Sequence, residues 1–159
     1  MPKITPLLFD SYLAIIKSSV GSKMFRAFFA EINGKKTEIT QKGNLSCAFF
    51  VSFILKYFDL IAHGHMTITG LIRDMEESGW KRIEKPKPGC VLIWEAVHDG
   101  GNKFYTSGHR HIGFYIGKDK AVSNLSSRGW PAVTPWTFGM KNGKAARRVE
   151  AMYWNTKLK

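Results

Sequence analysis

The stretch "GNLSCAFFVSFIL", residues 43–55, decides the fold, because a polar loop gives way there to a long apolar run that begins at Cys47. Asn44 and Ser46 offer side-chain oxygens that suit a helix N-cap. The run continues as "CAFFVSFILKYFDLIAHG", which predicts more than three helical turns with apolar residues on nearly all sides. Such a helix must be covered on most of its surface, so we expect it to be central to the fold.

Upstream of this helix, the sequence predicts one further helix and one hairpin. Residues 7–20 carry apolar side chains at three- and four-residue spacings, and Gly21 follows them, which is typical of an amphipathic helix. The segment "MFRAFFAEINGKKTEIT" is compatible with a helix, but Asn33-Gly34 between its two halves favours a β-hairpin.

Downstream, one helix is followed by a run of strands. Thr67 or Thr69 can cap a helix that continues through "GLIRDMEESGW" and ends at Gly79. The segments "CVLIWEAV", "HIGFYIG", "KAVSN" and "RRVEAMYW" read as strands, whereas "AVHDGGNKFYTSG" and "LSSRGWPAVTPWTFG" read as loops. Helices first and antiparallel strands afterwards indicate an α+β fold, and residues 1–159 form one domain without a repeat or linker.

The composition limits the environment of the protein more than its activity. Lys and Arg number 24 against 12 Asp and Glu, and this formal charge of +12 favours anionic polymers as surroundings. The basic residues are scattered and no nucleic-acid-binding signature accompanies them, so we do not expect nucleic acid as a partner. Neither a secretion signal nor an apolar run near 18 residues is present. We therefore expect a soluble, cytoplasmic protein with two free thiols, unless export uses another route or a leader was removed.

Cys47 is the candidate nucleophile of the chain. A thiol at a helix N-terminus feels the positive end of the helix dipole, which lowers its pKa and favours the thiolate. Taken alone, Cys47 reads as a small buried hydrophobe, since free cysteine is often buried. His111 changes this interpretation, because a cysteine nucleophile needs a histidine base whose other ring nitrogen is held by a polar group. Ser123 and Asn124 on the neighbouring strand are the candidates for that group.

The pairing of the two strands decides between Ser123 and Asn124. If Lys118-Asp119 is a two-residue hairpin loop, Gly113 lies opposite Asn124, so that His111 and Asn124 share one face of the sheet. Ser123 then points into the core. We favour Asn124, although a slip of one residue reverses this choice. The same register makes Gly113 a gap beside His111 into which the cysteine-bearing helix can fit.

Three motifs resemble those of the NlpC/P60 cysteine peptidases, which belong to a wider group of enzymes that includes the CHAP amidases. They are "LSCAFFVSFIL", "KPGCVLIW" and "HIGFYIGKDKAVSN", which together span roughly residues 43–125, with residues 1–42 as an N-terminal helical extension. The resemblance implies a papain-like α+β fold, with the nucleophile helix packed on a small antiparallel sheet or barrel. It also implies hydrolysis of amide bonds, most often in peptidoglycan stem peptides, without a cofactor. By motif position Cys47 is the nucleophile, His111 the base, and Ser123 or Asn124 the third polar residue.

The chain departs from the family pattern at four places. Ser46 and Ala48 replace the aspartate and the serine that usually flank the nucleophile, and Cys90 replaces the aspartate that usually follows Pro-Gly. The tyrosine that often helps bind the oxyanion has no clear counterpart here, which leaves the backbone N–H of Cys47 as the obvious donor. The wider group also includes acyltransferases and members that bind ligands but have lost catalysis. A thiol acyltransferase and an inactive basic binding module are therefore alternatives to a hydrolase.

Other residues carry weaker signals. Trp130 and Trp136 in the predicted loop after the strand pair, together with His109, are candidates for substrate binding. The pairs "HGH" at 63–65 and "HRH" at 109–111 have the alternation of metal ligands, but nothing in the sequence completes a tetrahedral site. We therefore predict no metal.

Overall fold

A computed structural model describes residues 1–97 and 108–159, and the loop predicted around His98 lies almost entirely outside them. The described residues form three α-helices and one short 3₁₀ helix. These are α1 (Leu8–Ser18), α2 (Cys47–Tyr57), α3 (Ile68–Glu77) and the 3₁₀ helix Thr156–Leu158. No helix in these two segments is long and apolar enough to cross a lipid bilayer.

Most of the strands join one antiparallel sheet. The strands are β1 (Phe29–Ile32), β2 (Lys35–Glu38), β3 (Lys81–Arg82), β4 (Val91–Val97), β5 (His109–Gly117), β6 (Lys120–Leu125), β7 (Trp130–Pro135), β8 (Met140–Lys141), β9 (Lys144–Ala145) and β10 (Val149–Trp154). Six of them form a sheet in the order β3-β10-β4-β5-β6-β7, and the pairs β1-β2 and β8-β9 are separate. The mixed α+β class with antiparallel strands is confirmed.

The hairpin signal at Asn33-Gly34 and the capping signal at Thr67 are confirmed. Ile32 pairs with Lys35 across the turn, where Asn33 (φ 51°) and Gly34 (φ 76°) both adopt left-handed backbone. Thr67 caps α3 by accepting a hydrogen bond from the backbone N–H of Gly70 at 3.2 Å. The predicted loop at 125–139 is wrong for residues 130–135, which form strand β7 at the edge of the sheet, where prolines are tolerated.

Helix α2 is central as predicted, but both of its ends differ from expectation. Ser46 is the N-cap residue, yet it is buried and its hydroxyl donates to the carbonyl of Phe25 rather than capping the helix. The helix stops at Tyr57 because Asp59 adopts φ 56°, and the N–H of Leu60 then bonds the carbonyl of Leu55 at 2.9 Å. This Schellman-type end places His63 and His65 in a separate loop.

The six-stranded sheet has two buried faces. Helix α2 covers one of them, here called the helix face, where Ile112, Phe114 and Val122 join the larger core; the rings of Phe50 and Phe114 lie 5.6 Å apart. The opposite side, here called the second face, carries a smaller core of Cys90, Leu92, Trp94, Tyr115 and Ala121. Successive residues of a strand alternate between these two faces.

A bulge in β5 overturns the predicted register of β5 and β6. Gly117 pairs with Lys120 as expected, but the register shifts so that Tyr115 pairs with Ala121 and Phe114 with Val122. The extra residue lies beside Gly117, whose φ of +91° suits a bulge. Gly113 therefore lies opposite Ser123: a Cβ at Gly113 would come within 2.6 Å of the Ser123 Cβ and 3.1 Å of Trp94 Cζ3. The prediction that Gly113 faces Asn124 is wrong.

The loop that precedes α2 is held against the far end of the sheet. Asn124 Nδ2 donates to the carbonyl of Gly43 at 2.7 Å, and a Cβ at Gly43 would collide with the backbone of Gly129 in the β6-β7 turn. Gly43 also has φ +92°, so this position requires glycine for both space and backbone conformation. The first turn of α2 is thereby fixed relative to β6.

Candidate active site

A cavity of about 340 Å³ opens at the N-terminal ends of α2 and α3, beside the start of β5 and the end of β6. It is lined by Asn44, Leu45, Cys47, Ala48, Met66, Thr67, Ile68, Thr69, Gly108, His109, Arg110, His111, Asn124 and Ser126. Four of the candidate site residues predicted from the sequence line this cavity: Cys47, His109, His111 and Asn124.

The two tryptophans predicted to bind substrate lie elsewhere. Trp130 is half-buried beneath the guanidinium of Arg26, which lies 5.9 Å from its ring centroid. Trp136 packs on the second face, 5.7 Å from the ring of Tyr115, and its carbonyl accepts a hydrogen bond from Trp94 Nε1 at 2.7 Å. Neither is among the residues that line the cavity. Trp136 thus contributes to packing.

Cys47 is the first residue of α2. The backbone N–H groups of Ala48 and Ile112, together with the charge of Arg147, favour its thiolate. Burial has the larger effect and raises the pKa of the Cys47 thiol above its ordinary value of 9.0. The lowered pKa expected from the helix dipole is therefore outweighed, and Cys47 rests as a neutral thiol at neutral pH.

His111 lies on the second face, between two aromatic rings. Its ring centroid is 5.3 Å from that of Trp94 and 5.8 Å from that of Phe138, and the residue is only 6% exposed. Burial, with the charges of Arg147 and His109, lowers the pKa of His111 from 6.5 to about 3. Its Nε2 is buried and has no hydrogen-bond partner in the described part of the chain. At neutral pH the ring is an uncharged imidazole.

The bulge in β5 separates the two candidates for the third polar residue. Ser123 shares the second face with His111, and its fully buried hydroxyl lacks a hydrogen-bond partner among residues 1–97 and 108–159. Asn124 points to the helix face, where it donates to Gly43. The expectation that His111 and Asn124 share a face is wrong, because one extra residue in β5 reverses the alternation.

Arg147 is a residue of the site that sequence reasoning missed. It precedes β10, and its Nε donates to the carbonyl of Glu95 at 3.0 Å while its Nη2 donates to the carbonyl of His109 at 2.9 Å. Its guanidinium also lies 6.0 Å from the ring centroid of Phe138. In sequence it belongs to a scattered basic pair, and only the insertion of β10 beside β4 brings its charge to Cys47 and His111.

The histidine pairs do not form a metal-binding cluster. His65 Nε2 lies 2.6 Å from Asp74 Oδ2, and Asp74 also accepts the backbone N–H groups of Ala62 and His63 at 2.8 and 2.9 Å. Those hydrogen bonds hold the pKa of Asp74 well below its usual range, although its burial opposes this. In the described segments, no group of three or more His, Cys, Asp or Glu residues is placed to hold a metal ion.

Comparison with known proteins does not assign the chain to a family, because no protein-family model and no curated protein matches it.

Proposed function

We propose that the protein is a thiol hydrolase that cleaves amide bonds, with Cys47 as nucleophile and His111 as base, in a papain-like NlpC/P60 arrangement. The observation that supports this best is the cavity shared by Cys47 and His111 at the N-terminus of α2. The backbone N–H of Ile112, the residue that follows His111 in β5, also favours the thiolate of Cys47. A nucleophile and a base at one cavity are the minimum for acyl transfer through a thioester.

The reaction starts from a neutral pair. His111 takes the thiol proton as the sulfur attacks the carbonyl carbon, and the C–S bond forms while the carbonyl π electrons move to oxygen. The tetrahedral intermediate collapses, the C–N bond breaks, and the imidazolium returns its proton to the leaving amine. Water then attacks the thioester with His111 as base, which releases the acid and regenerates the thiol. Arg147 and the backbone N–H groups at Cys47 favour the negative charge that develops.

The proposed substrate is a peptide, most specifically a stem peptide of peptidoglycan. The resemblance of three motifs to NlpC/P60 peptidases is the basis for this choice, and the formal charge of +12 suits an anionic cell-wall polymer. Action on the wall requires that the protein leave the cytoplasm. An inactive binding module is the second candidate, and the low pKa of His111 favours it, because so weak a base draws a thiol proton poorly. A thiol acyltransferase would use the same thioester.

The first experiment measures the alkylation of Cys47 by iodoacetamide at pH 7, followed by mass spectrometry of the peptide. Cys90 is the internal reference, since it is fully buried and burial raises its pKa to about 11. Faster labelling of Cys47 alone reports only access, so the deciding variants are His111→Ala and His111→Gln. We expect each to slow labelling about tenfold or more while the circular dichroism spectrum is retained.

The second experiment measures hydrolysis of purified peptidoglycan by the release of new amino groups. Cys47→Ser should lose at least about a thousandfold in rate, as expected when a nucleophile is removed. Cys90→Ser is the matched control and should retain activity where it remains folded. Labelling that is independent of His111, together with no release of amino groups by the wild type, would favour the binding module over the hydrolase.

A further inference from the structure

The cavity collects the positive ends of two helices. Cys47 and Ala48 begin the 11-residue helix α2, while Thr67, Ile68 and Thr69 lie at the N-cap and first turn of the 10-residue helix α3. Each helix N-terminus carries the equivalent of roughly half a positive charge, with backbone N–H groups that lack partners within the helix. Two such ends at one cavity attract an anion.

Arg110 adds a full positive charge to the same wall. It lies on β5, its Nη2 donates to Thr69 Oγ1 at 3.3 Å, and its Nη1 lies 3.6 Å from Glu150 Oε1. Glu150 belongs to β10 and does not line the cavity. No aspartate or glutamate occurs among the described residues that do line it. The lining is therefore positive overall, and Glu150 neutralises it only from the side.

Asn124 supplies a second, independent sign of a ligand. The residue lines the cavity, is 1% exposed, and its Oδ1 has no hydrogen-bond partner within residues 1–97 and 108–159. Its Nδ2 is held by the carbonyl of Gly43, so the amide orientation is fixed and Oδ1 is left as an acceptor. A buried carbonyl oxygen without a donor is costly unless a ligand supplies one. The ligand therefore offers an N–H group as well as an anion.

We propose that this cavity binds an acidic peptide or acyl-amino acid, with a carboxylate held between the N-termini of α2 and α3 and Arg110. The peptide N–H donates to Asn124 Oδ1. This inference names the substrate class of the proposed hydrolase, and it rests on that function only in taking Cys47 as the group beside the bound ligand.

The test compares two small reagents of nearly equal shape, iodoacetate and iodoacetamide, which differ in one negative charge. Both form a C–S bond to Cys47 and release iodide. The rate constant of iodoacetate at Cys47 is divided by that of iodoacetamide, and this ratio for the folded protein is divided by the same ratio for the chain unfolded in urea. The second division removes the difference in intrinsic reactivity between the two reagents. We expect folding to raise this ratio about tenfold in favour of iodoacetate, given two helix ends and one guanidinium.

Charge variants locate the effect. Arg110→Gln should lower the ratio at least threefold, Arg110→Lys should retain most of it, and Glu150→Gln should raise it. Lys120→Gln, at the exposed opposite end of β6, is the matched control for loss of one positive charge and should leave the ratio unchanged. A ratio of one in the folded protein, an effect of Lys120→Gln equal to that of Arg110→Gln, or failure of either reagent to reach Cys47 would overturn the proposal.

A protection experiment separates a carboxylate ligand from other anions. N-acetylglutamate should slow the labelling of Cys47 by iodoacetamide more than N-acetylglutamine or inorganic phosphate at equal ionic strength, and Asn124→Ala should weaken this protection. Stronger protection by phosphate would overturn the assignment to a carboxylate. These measurements do not require catalysis, so they test the ligand separately from the proposed hydrolase. If labelling does not depend on His111 but the preference for iodoacetate is seen, the hydrolase is contradicted and the anion site stands. The opposite pair of results contradicts the anion site alone.

Discussion

The two faces of the six-stranded sheet are formed by the same strands but bury different kinds of side chain. The helix face is apolar and covered by α2, and Asn124, a buried amide at the cavity, is tied on this face to the loop before Cys47. The second face buries His111 and Ser123 beside Trp94, and Arg147 lies at its margin with its charge acting on His111. Cys47, the proposed nucleophile, thus lies on the helix that covers one face, whereas His111, the proposed base, lies on the opposite face of β5. One bulge at Gly117 decides which polar residue accompanies which partner.

The largest expected effect is the loss of stability at acidic pH that is caused by His111, and it tests the description of the second face. Its pKa is about 3 in the folded protein and 6.5 in an unfolded chain, so the unfolded state binds more protons between these values. The free energy of unfolding is therefore highest above pH 6.5 and falls as the pH is lowered. Between pH 6.5 and 4.5 we expect a loss of about 2 to 3 kcal/mol in urea titrations.

The variant His111→Gln isolates this contribution. It should flatten the dependence of stability on pH in that window, whatever its stability at neutral pH. Glu38 titrates below this window. Burial raises its pKa, but the hydrogen bonds from Thr40, Phe28 and Lys42 together outweigh burial and lower the pKa to about 2. An unchanged slope in His111→Gln would mean that His111 is not buried as a neutral ring.

An intermediate effect is expected at Arg147, which connects the second face to the thiol. Arg147→Ala removes a charge that favours the thiolate of Cys47 and opposes the imidazolium of His111, so both pKa values should rise. The alkylation of Cys47 at pH 7 should slow by roughly three- to tenfold, and its pH profile should move to higher pH. Arg147→Lys should recover part of the loss. Arg148→Ala is the matched control, and an equal shift there would show a nonspecific charge effect.

The smallest effect is expected at Ser123, whose substitution is compared with that of its neighbour Asn124. Asn124→Ala leaves the buried carbonyl of Gly43 without its donor and should cost about 1 to 2 kcal/mol in the free energy of unfolding. Ser123→Ala removes a hydroxyl with no partner in the described residues and should change stability by less than about 0.5 kcal/mol. The reverse order, measured by urea unfolding at pH 7, would contradict the register seen in the sheet.

The local elements could be predicted from the sequence because each depends on neighbouring residues. Asn33-Gly34, Thr67 with Gly70, and Lys118-Asp119 all form the turns or caps that their residue types favour. Cys47 and His111 could also be singled out from their motifs, which left the choice between Ser123 and Asn124 open. These signals act within a few residues, where backbone preference is decisive.

The parts that sequence missed depend on long-range packing. A bulge adds one residue to a strand without changing its apolar pattern, so the assignment of Ser123 and Asn124 to faces could not be read from "HIGFYIGKDKAVSN". Arg147 approaches His109 only because β10 lies between β3 and β4. The pKa of Cys47 was misjudged because burial outweighs the helix end, and burial is a property of the whole fold.

The contact of Asn124 with Gly43 has a consequence for the order of folding. The two residues are 81 positions apart, so their contact closes a long loop of chain and cannot form from local structure. Helix α2 can begin to coil early from its own apolar residues, but the loop that orients Cys47 settles only after β6 and the turn at Gly129 are in place. We therefore expect the Cys47 thiol to reach its cavity late in folding, and in a nascent chain that has not yet completed β6 the loop before Cys47 would lack the contacts that position it.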